Sequence, residues 1–181
     1  MELRIVKFFN RLGQGRMDAL TKTVSHIFLL AAFWAAIGTW ILFFDRVNGR
    51  EIFVAMAIAS VLHFIIIEGF FKILLPKYFQ ARKRPYISYP DEIRAIGREH
   101  RDSSFPSSHM STTAAMLMII TYFHIFIWPI SSVFLIFMAY ARMHNGMHYP
   151  SDVVAGAALG TFYGLVGIYY AKMMTIFFIF L

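Results

Sequence analysis

The chain of 181 residues contains no cysteine, which excludes disulfide bonds, thiolate catalysis and a cysteine-ligated zinc site. Charged residues are also scarce. They make up 15% of the chain, whereas 59% of it is apolar. A soluble domain of this size cannot hide so much apolar surface, so the composition predicts an integral membrane protein that lies in a lipid bilayer.

Acidic residues are fewer than basic ones, 10 against 17, which gives a formal net charge of +7. This charge predicts anionic partners, and lipid head groups are the natural ones for a membrane protein. We expect no nucleic-acid partner, because the basic residues flank apolar segments instead of forming a soluble basic module. Nothing in the sequence indicates an oligomeric state.

Hydropathy predicts an all-α integral membrane protein with a single domain, residues 1–181. We expect a bundle of five transmembrane helices and an N-terminal interfacial amphipathic helix. The predicted interfacial helix covers residues 1–16. The five predicted spans are residues 24–44, 52–75, 107–126, 129–143 and 150–175. A long polar loop, residues 76–106, lies between the second and third spans.

Three local patterns support these boundaries. The first segment has an apolar and a basic face at helical spacing and is followed by Gly13 and Gly15, which end a helix. The charge-free stretch from Met110 to Ala141 is too long for one span, and Pro129 marks the break within it. In the last span a glycine recurs every fourth residue, a stripe that lets a neighbouring helix approach closely, at Gly156, Gly160 and Gly164.

Three polar stretches lie at the ends of apolar segments, where ionisable groups are usually functional. With five spans, all three stretches face the same end of the bundle, and the interfacial helix joins them there. The stretches run from Lys77 to Arg84-Pro85, from Pro106 to His109, and from Arg142 through His148 to Asp152.

The second and third stretches each place a proline at the start of a helix. Behind Pro106, the hydroxyl and N–H groups of Ser107 and Ser108 form a site for an anion. Behind Pro150, Asp152 lies in the first helical turn, where it can accept a hydrogen bond from His148. The guanidinium of Arg142 can bind phosphate oxygens.

In order and spacing, these stretches resemble the three signature motifs of the type 2 phosphatidic acid phosphatase superfamily: KxxxxxxRP, PSGH and SRxxxxxHxxxD. The first motif matches in full. The second has Ser108 in place of glycine, and the third has Ala141 in place of serine. The resemblance covers residues 77–152, with the flanking spans similar in character only.

The resemblance implies that His148 is the nucleophile and forms a phospho-histidine, that Asp152 orients it, and that His109 protonates the leaving oxygen and then activates water. It implies neither metal nor cofactor, because cations hold the phosphate oxygens. The implied phosphate-binding residues are Lys77, Arg84, Ser107, the backbone N–H of Ser108, and Arg142.

The function that follows is a metal-independent membrane lipid phosphatase. Family members suggest undecaprenyl diphosphate, the 1-phosphate of lipid A, or phosphatidylglycerophosphate as the substrate. An alternative is a non-catalytic protein that binds or transports a lipid phosphate in the same cationic site. A vanadate-dependent haloperoxidase, which shares the motifs, does not fit a chain made of membrane spans.

Other polar residues receive structural interpretations. We expect Arg82, Lys83, Arg94, Arg98 and Arg101 to be interfacial anchors, and His100 and His144 to support the site. Glu68 lies within a span and is therefore a candidate functional residue, and its expected partner in a structural pair is Lys72, four residues later. His63 lies five residues before Glu68, about 140° away around an α-helix, so these two need not meet.

The expected location is the inner (plasma) membrane, but two arguments about its orientation conflict. Few basic residues lie on the face opposite the site, Arg46, Arg50 and Lys172 among them, so the positive-inside rule places the site in the cytoplasm. The family resemblance places it on the periplasmic or outer side. We favour the outer side, because a phosphate site and an interfacial helix attract basic residues for other reasons.

Overall fold

The computed structural model describes residues 1–100 and 102–179, with the backbone alone for residues 178 and 179. Arg101, an expected anchor, lies outside the described residues. The described chain is helical, without strands. Its eight α-helices, in chain order, are α1 Glu2–Arg11, α2 Asp18–Val24, α3 Ile27–Phe44, α4 Gly49–His63, α5 Pro85–Ser88, α6 Ser108–Phe123, α7 Trp128–His144 and α8 Pro150–Ile179.

Within the described residues, four segments are long and apolar enough to cross a membrane: Ile27–Phe44, Gly49–Lys77, Ile125–His144 and Pro150–Phe177. They agree with four of the five predicted spans. The remaining helix, α6, has 16 residues, about 24 Å of α-helix, which is shorter than the hydrocarbon core. The fifth crossing therefore stays a prediction. The predicted break is confirmed, since a new helix begins at Trp128 with Pro129 in its first turn.

The glycine stripe of α8 packs against α6, as predicted. A Cβ atom at Gly156 would lie 2.6 Å from the carbonyl oxygen of Ser107, and one at Gly160 would collide with the carbonyl of Ser111. Only the absence of a side chain permits this approach. It brings the start of α6 next to the start of α8, where the N–H of Ser107 donates to the carbonyl of Asp152 at 3.0 Å.

The N-terminal helix α1 packs against α7 at the end of the bundle that holds the polar stretches. Val6 is fully buried there, and the side chain of Asn10 donates to the carbonyls of Arg94 and His144 at 2.9 and 2.6 Å. The helix ends at Arg11, and Gly13 follows with a positive φ of 76°. Its expected position in the membrane interface stays a prediction.

The long polar loop is anchored to the helical bundle. Its Ile93 and Ile96 are buried, and the hydroxyl of Tyr86 donates to the carbonyl of His100 at 2.7 Å. The loop also meets Gly146, whose φ is 70° and where a Cβ would lie 2.8 Å from the carbonyl oxygen of Arg94. The N–H groups of Tyr86 and Ile96 also donate to the carbonyls of Gly146 and Asn145, so the loop lies against the turn that follows α7.

Candidate active site

A cavity of about 620 Å³ lies at the end of the bundle where the three polar stretches meet. Arg84 comes from the first stretch, Ser108 and His109 from the second, and Arg142 and His148 from the third. The predicted convergence of the three stretches is therefore confirmed.

His148 precedes α8 and is 1% exposed. Its Nδ1 lies 2.7 Å from the carbonyl oxygen of Ser104 and must donate, because a carbonyl can only accept. Nε2 is then free of a proton and lies 3.4 Å from Nη1 of Arg84. Burial, and then the charges of Arg142 and Arg84, hold the pKa of His148 well below its usual value. The imidazole is therefore neutral at pH 7, with a lone pair available for attack.

Asp152 is fully buried beside His148, but the predicted hydrogen bond between them does not form. Its Oδ2 is 3.8 Å from Nδ1 of His148 and instead accepts the N–H of Tyr149 at 2.8 Å. The carbonyl of Ser104 takes the bond that we assigned to Asp152. The hydrogen bond to the backbone of Ser104 therefore fixes the orientation of the His148 ring.

Arg82, which we expected to be an interfacial anchor, is bound to the buried carboxylate instead. Its Nη1 donates to Oδ1 of Asp152 at 2.7 Å and to Oγ of Ser151 at 2.6 Å. Its Nη2 donates to Glu2 at 2.7 Å, and its guanidinium lies 4.2 Å from the centre of the Tyr149 ring. Arg82 thus offsets the charge of Asp152 and ties α1 to the start of α8.

Asp102 bridges two cations in the cavity. Its Oδ1 lies 2.9 Å from Nη2 of Arg84, and its Oδ2 lies 3.0 Å from Nζ of Lys72. Burial alone would raise the pKa of Asp102, but Lys72 and Arg84 outweigh burial and lower it. A carboxylate that joins two cations in this way occupies a position suited to two oxygens of a phosphate. The sequence analysis did not single out Asp102, because no motif distinguishes it from the other charged residues of the polar loop.

The expected lysine of the site, Lys77, does not line this cavity. Lys77 is exposed at the end of the 3₁₀ turn Leu75–Lys77 and makes no hydrogen bond or ion pair with the described residues. Lys72 lines the cavity instead, with 10% of its side chain exposed. Lys72 belongs to a π-helical segment, Phe64–Leu74, which continues α4.

The π-helical segment also explains a contact that we did not expect. Nε2 of His63 lies 3.7 Å from Oε1 of Glu68, because residues five apart come together in a π-helix but not in an α-helix. The predicted pair of Glu68 with Lys72 is confirmed at 3.7 Å. The closest partner of Glu68 is the hydroxyl of Ser108, which donates to it at 2.6 Å.

The start of α6 contributes two side chains to the cavity. His109 places Nε2 2.8 Å from the carbonyl of Ser25, which leaves Nδ1 for proton transfer. Ser108 lines the cavity, but its hydroxyl is bound to Glu68. Ser107 is fully buried and is not among the lining residues. Its hydroxyl has no hydrogen-bond partner within the described structure.

Arg142 is a buried cation of the site that forms no ion pair with the described residues. It is 3% exposed, its Nε has no hydrogen-bond partner, and its side chain pairs with no carboxylate of the described chain. Keeping a guanidinium buried without a partner is costly. A buried, unpaired guanidinium in a cavity wall is suited to binding an anion.

Comparison of the sequence with known protein families identifies the family of this chain. The family model described as the PAP2 superfamily matches residues 48–176, more than two thirds of the chain. The chain belongs to the PAP2 superfamily. This confirms the resemblance drawn from the three motifs.

Two curated relatives of this PAP2 protein are similar over most of its length. An undecaprenyl-diphosphatase of Sulfolobus acidocaldarius is 25% identical over 75% of this chain, and the match spans 62% of that relative. The bacitracin transport permease protein BcrC of Bacillus licheniformis is 27% identical over 85% of this chain and 72% of its own length.

Two crystal structures share the fold of this PAP2 protein. LpxE of Aquifex aeolicus has a TM-score of 0.69 and 20% identity, and the match covers 93% of this chain and 95% of that one. A transmembrane PAP2-type phosphatidylglycerolphosphate phosphatase of Bacillus subtilis has a TM-score of 0.66 and 18% identity. That match covers 95% of this chain and 85% of the other.

Replacing Arg142 tests whether its guanidinium binds an anion. We expect Arg142→Met to melt at the same or a higher temperature than the wild type in detergent without ligand, because it removes an unpaired buried charge. Inorganic phosphate at 100 times its Kd for a site should stabilise the wild type by about 2.7 kcal/mol for each bound ion, and the same concentration should stabilise the variant much less. Arg50→Met, on the opposite face, is the control and should behave as wild type. An equal phosphate effect in Arg142→Met would contradict this account.

Proposed function

We propose that the protein is a metal-independent membrane lipid phosphatase that works through a phospho-histidine. Its family and the phosphatases among its relatives support a phosphoric ester hydrolase. One observation carries the mechanism. The carbonyl of Ser104 holds His148 so that its free Nε2 faces Arg84, in a cavity that also contains Arg142 and His109.

The proposed reaction has two steps. In the first, Nε2 of His148 attacks phosphorus, and the bond from phosphorus to the leaving oxygen breaks, which is the bridging oxygen in a diphosphate. His109, protonated on both ring nitrogens when this step begins, gives its Nδ1 proton to that oxygen. In the second, His109 takes a proton from water, and the water oxygen displaces His148 and releases inorganic phosphate. Arg84 and Arg142 stabilise the charge that develops on the phosphoryl oxygens in both steps.

The cavity also has an apolar end, which suits the lipid tail. It is lined by side chains of three helices, among them Leu30 and Trp34 of α3, Met56 of α4 and Met116 of α6. A substrate with its phosphate beside His148 can therefore keep its hydrocarbon chain between the helices. Among the three candidate lipids we favour undecaprenyl diphosphate, because the relative from Sulfolobus acidocaldarius is named for that activity.

Phosphate release from a panel of lipids tests this function. We expect release from undecaprenyl diphosphate to exceed release from lipid A 1-phosphate and phosphatidylglycerophosphate. We expect His148→Ala to lower it at least about 1,000-fold, because the nucleophile is lost. His124→Ala is the matched control, since His124 pairs with Asp45 at the other end of the bundle. Unchanged release by His148→Ala would disprove the assignment of the nucleophile.

The alternative is a protein that binds or transports a lipid phosphate without cleaving it. The name of the Bacillus licheniformis relative, a transport permease, favours it. The proton-free nitrogen of His148 and the second imidazole in the same cavity favour catalysis, because binding alone requires neither. Substrate binding without release of phosphate from any lipid of the panel would support the alternative.

We further propose that Lys72, and not Lys77, provides the ammonium group of the phosphate site. Its Nζ and Nη2 of Arg84 already hold the two oxygens of one carboxylate, that of Asp102. Substrate phosphate would displace Asp102 and take its place between the two cations. Ser108 contributes its backbone N–H at the start of α6. Ser107 stays a proposed contact, through its unpartnered hydroxyl.

The two lysines form a matched pair for mutagenesis. Lys72→Met should lower kcat/KM about 100- to 1,000-fold, the usual effect of removing a donor that stabilises transition-state charge. Lys72→Arg should restore part of the loss, and Lys77→Met should have less than about a 3-fold effect, in line with an exposed cation. Phosphate-release kinetics, with melting temperatures to verify folding, provide the measurement. A large loss of kcat/KM in Lys77→Met together with a small one in Lys72→Met would assign the phosphate-binding ammonium group to Lys77.

For the membrane, we propose that the protein lies in the inner (plasma) membrane with its active site facing the periplasm or the outside. The chain lacks cysteine, so single cysteines can be placed at Ser88, exposed in the polar loop, and at Val47, exposed between α3 and α4. In intact cells a membrane-impermeant maleimide should label Ser88→Cys, and should label Val47→Cys only after permeabilisation. The opposite pattern would place the site in the cytoplasm.

A further inference from the structure

A second, smaller cavity of about 120 Å³ adjoins the active-site cavity on the side of α2 and the polar loop. The two cavities share three lining residues: Ile27, His100 and Arg142. Arg142 and His100 thus form part of the boundary between them. The second cavity accordingly lies next to the site that we assign to phosphate, with these side chains between the two.

The lining of the second cavity is basic. Lys22, Arg98 and Arg142 contribute cations, and His26 and His100 contribute imidazoles. No carboxylate is among its described lining residues, whereas the active-site cavity contains Glu68 and Asp102. A cavity lined by cations without counter-charges favours a small anion.

The polar groups around this cavity have unused hydrogen-bonding capacity. Arg142 and Asn145, 3% and 1% exposed, have an unpartnered Nε and Oδ1, respectively. Lys22 and Arg98 are exposed at the rim of the cavity and make no hydrogen bond or ion pair with a described residue. Buried polar atoms without partners are costly, so their presence in a cavity wall points to a ligand.

We propose that the second cavity binds inorganic phosphate and receives it after His148 is dephosphorylated. This role rests on the proposed phosphatase activity, whereas the anion site itself does not. The two products differ in chemistry. The lipid product belongs at the apolar end of the first cavity, beside Trp34 and Met116, and the phosphate dianion belongs in the basic branch. Arg142, which lines both cavities, can hold the phosphate as it passes from one to the other.

Phosphate binding to the purified protein in detergent, measured by titration calorimetry, tests the proposal. The wild type should bind two phosphate ions per chain. The double variant Lys22→Gln/Arg98→Gln should retain the active-site phosphate and bind the second at least about 10-fold more weakly, because it loses two charged donors. The matched control Arg46→Gln/Arg50→Gln removes the same charge on the opposite face and should bind two.

A single phosphate in the wild type, or unchanged binding in Lys22→Gln/Arg98→Gln, would overturn the second site. Lys22→Glu, which brings a carboxylate to the rim of the cavity, should also lose the second phosphate and gives an independent variant if the double one does not fold.

Turnover measurements separate this proposal from the proposed function. In the double variant, we expect a phosphatase with the wild-type KM for lipid and weaker product inhibition by phosphate. Two bound phosphates in a protein that hydrolyses no lipid would refute the phosphatase and the product role, but not the anion site. Turnover with one bound phosphate would refute the second site and leave the phosphatase intact.

Discussion

A guanidinium that is buried at the end of a membrane bundle, with no ion pair among the described residues, is the constraint on which the site depends. Burying the charge of Arg142 costs folding free energy, and that charge helps to keep His148 neutral and therefore nucleophilic. The nearby carboxylates are directed elsewhere: Asp102 to Lys72 and Arg84, Glu68 to Ser108, and Asp152 to Arg82. A phosphate is the ligand that would complete the set.

The fold maintains this arrangement through backbone contacts more than through side chains. The glycines of α8 allow α6 to approach so closely that Ser107 bonds the backbone of Asp152. The polar loop supplies the carbonyl of Ser104, which orients His148, and the turn before α3 supplies the carbonyl of Ser25, which binds His109. Both imidazoles are thus held by carbonyl groups of segments outside the long helices.

Much of the site could be predicted from sequence, because motif spacing and helix-start chemistry are local properties. His148, Asp152 and Arg142 lie where Pro150 and the end of α7 indicated, and the glycine stripe packs as expected. Other features carry no such signal. Every residue has a backbone carbonyl, so the sequence does not indicate that the one of Ser104 orients His148. The π-helical segment brings Lys72 into the cavity and His63 beside Glu68, and an α-helical period does not predict either position. The pairing of Arg82 with Asp152 joins residues far apart in the chain, so an arginine near a span end looked like an ordinary anchor.

The most direct test of this account is whether His148 itself becomes phosphorylated. Purified protein would be mixed with undecaprenyl diphosphate, quenched within milliseconds under alkaline conditions, and digested for mass spectrometry. We predict a phosphoryl group on Nε2 of His148 and none on His109, formed at least as fast as inorganic phosphate is released. Steady release of phosphate with no phosphorylated His148 at any quench time would contradict the account.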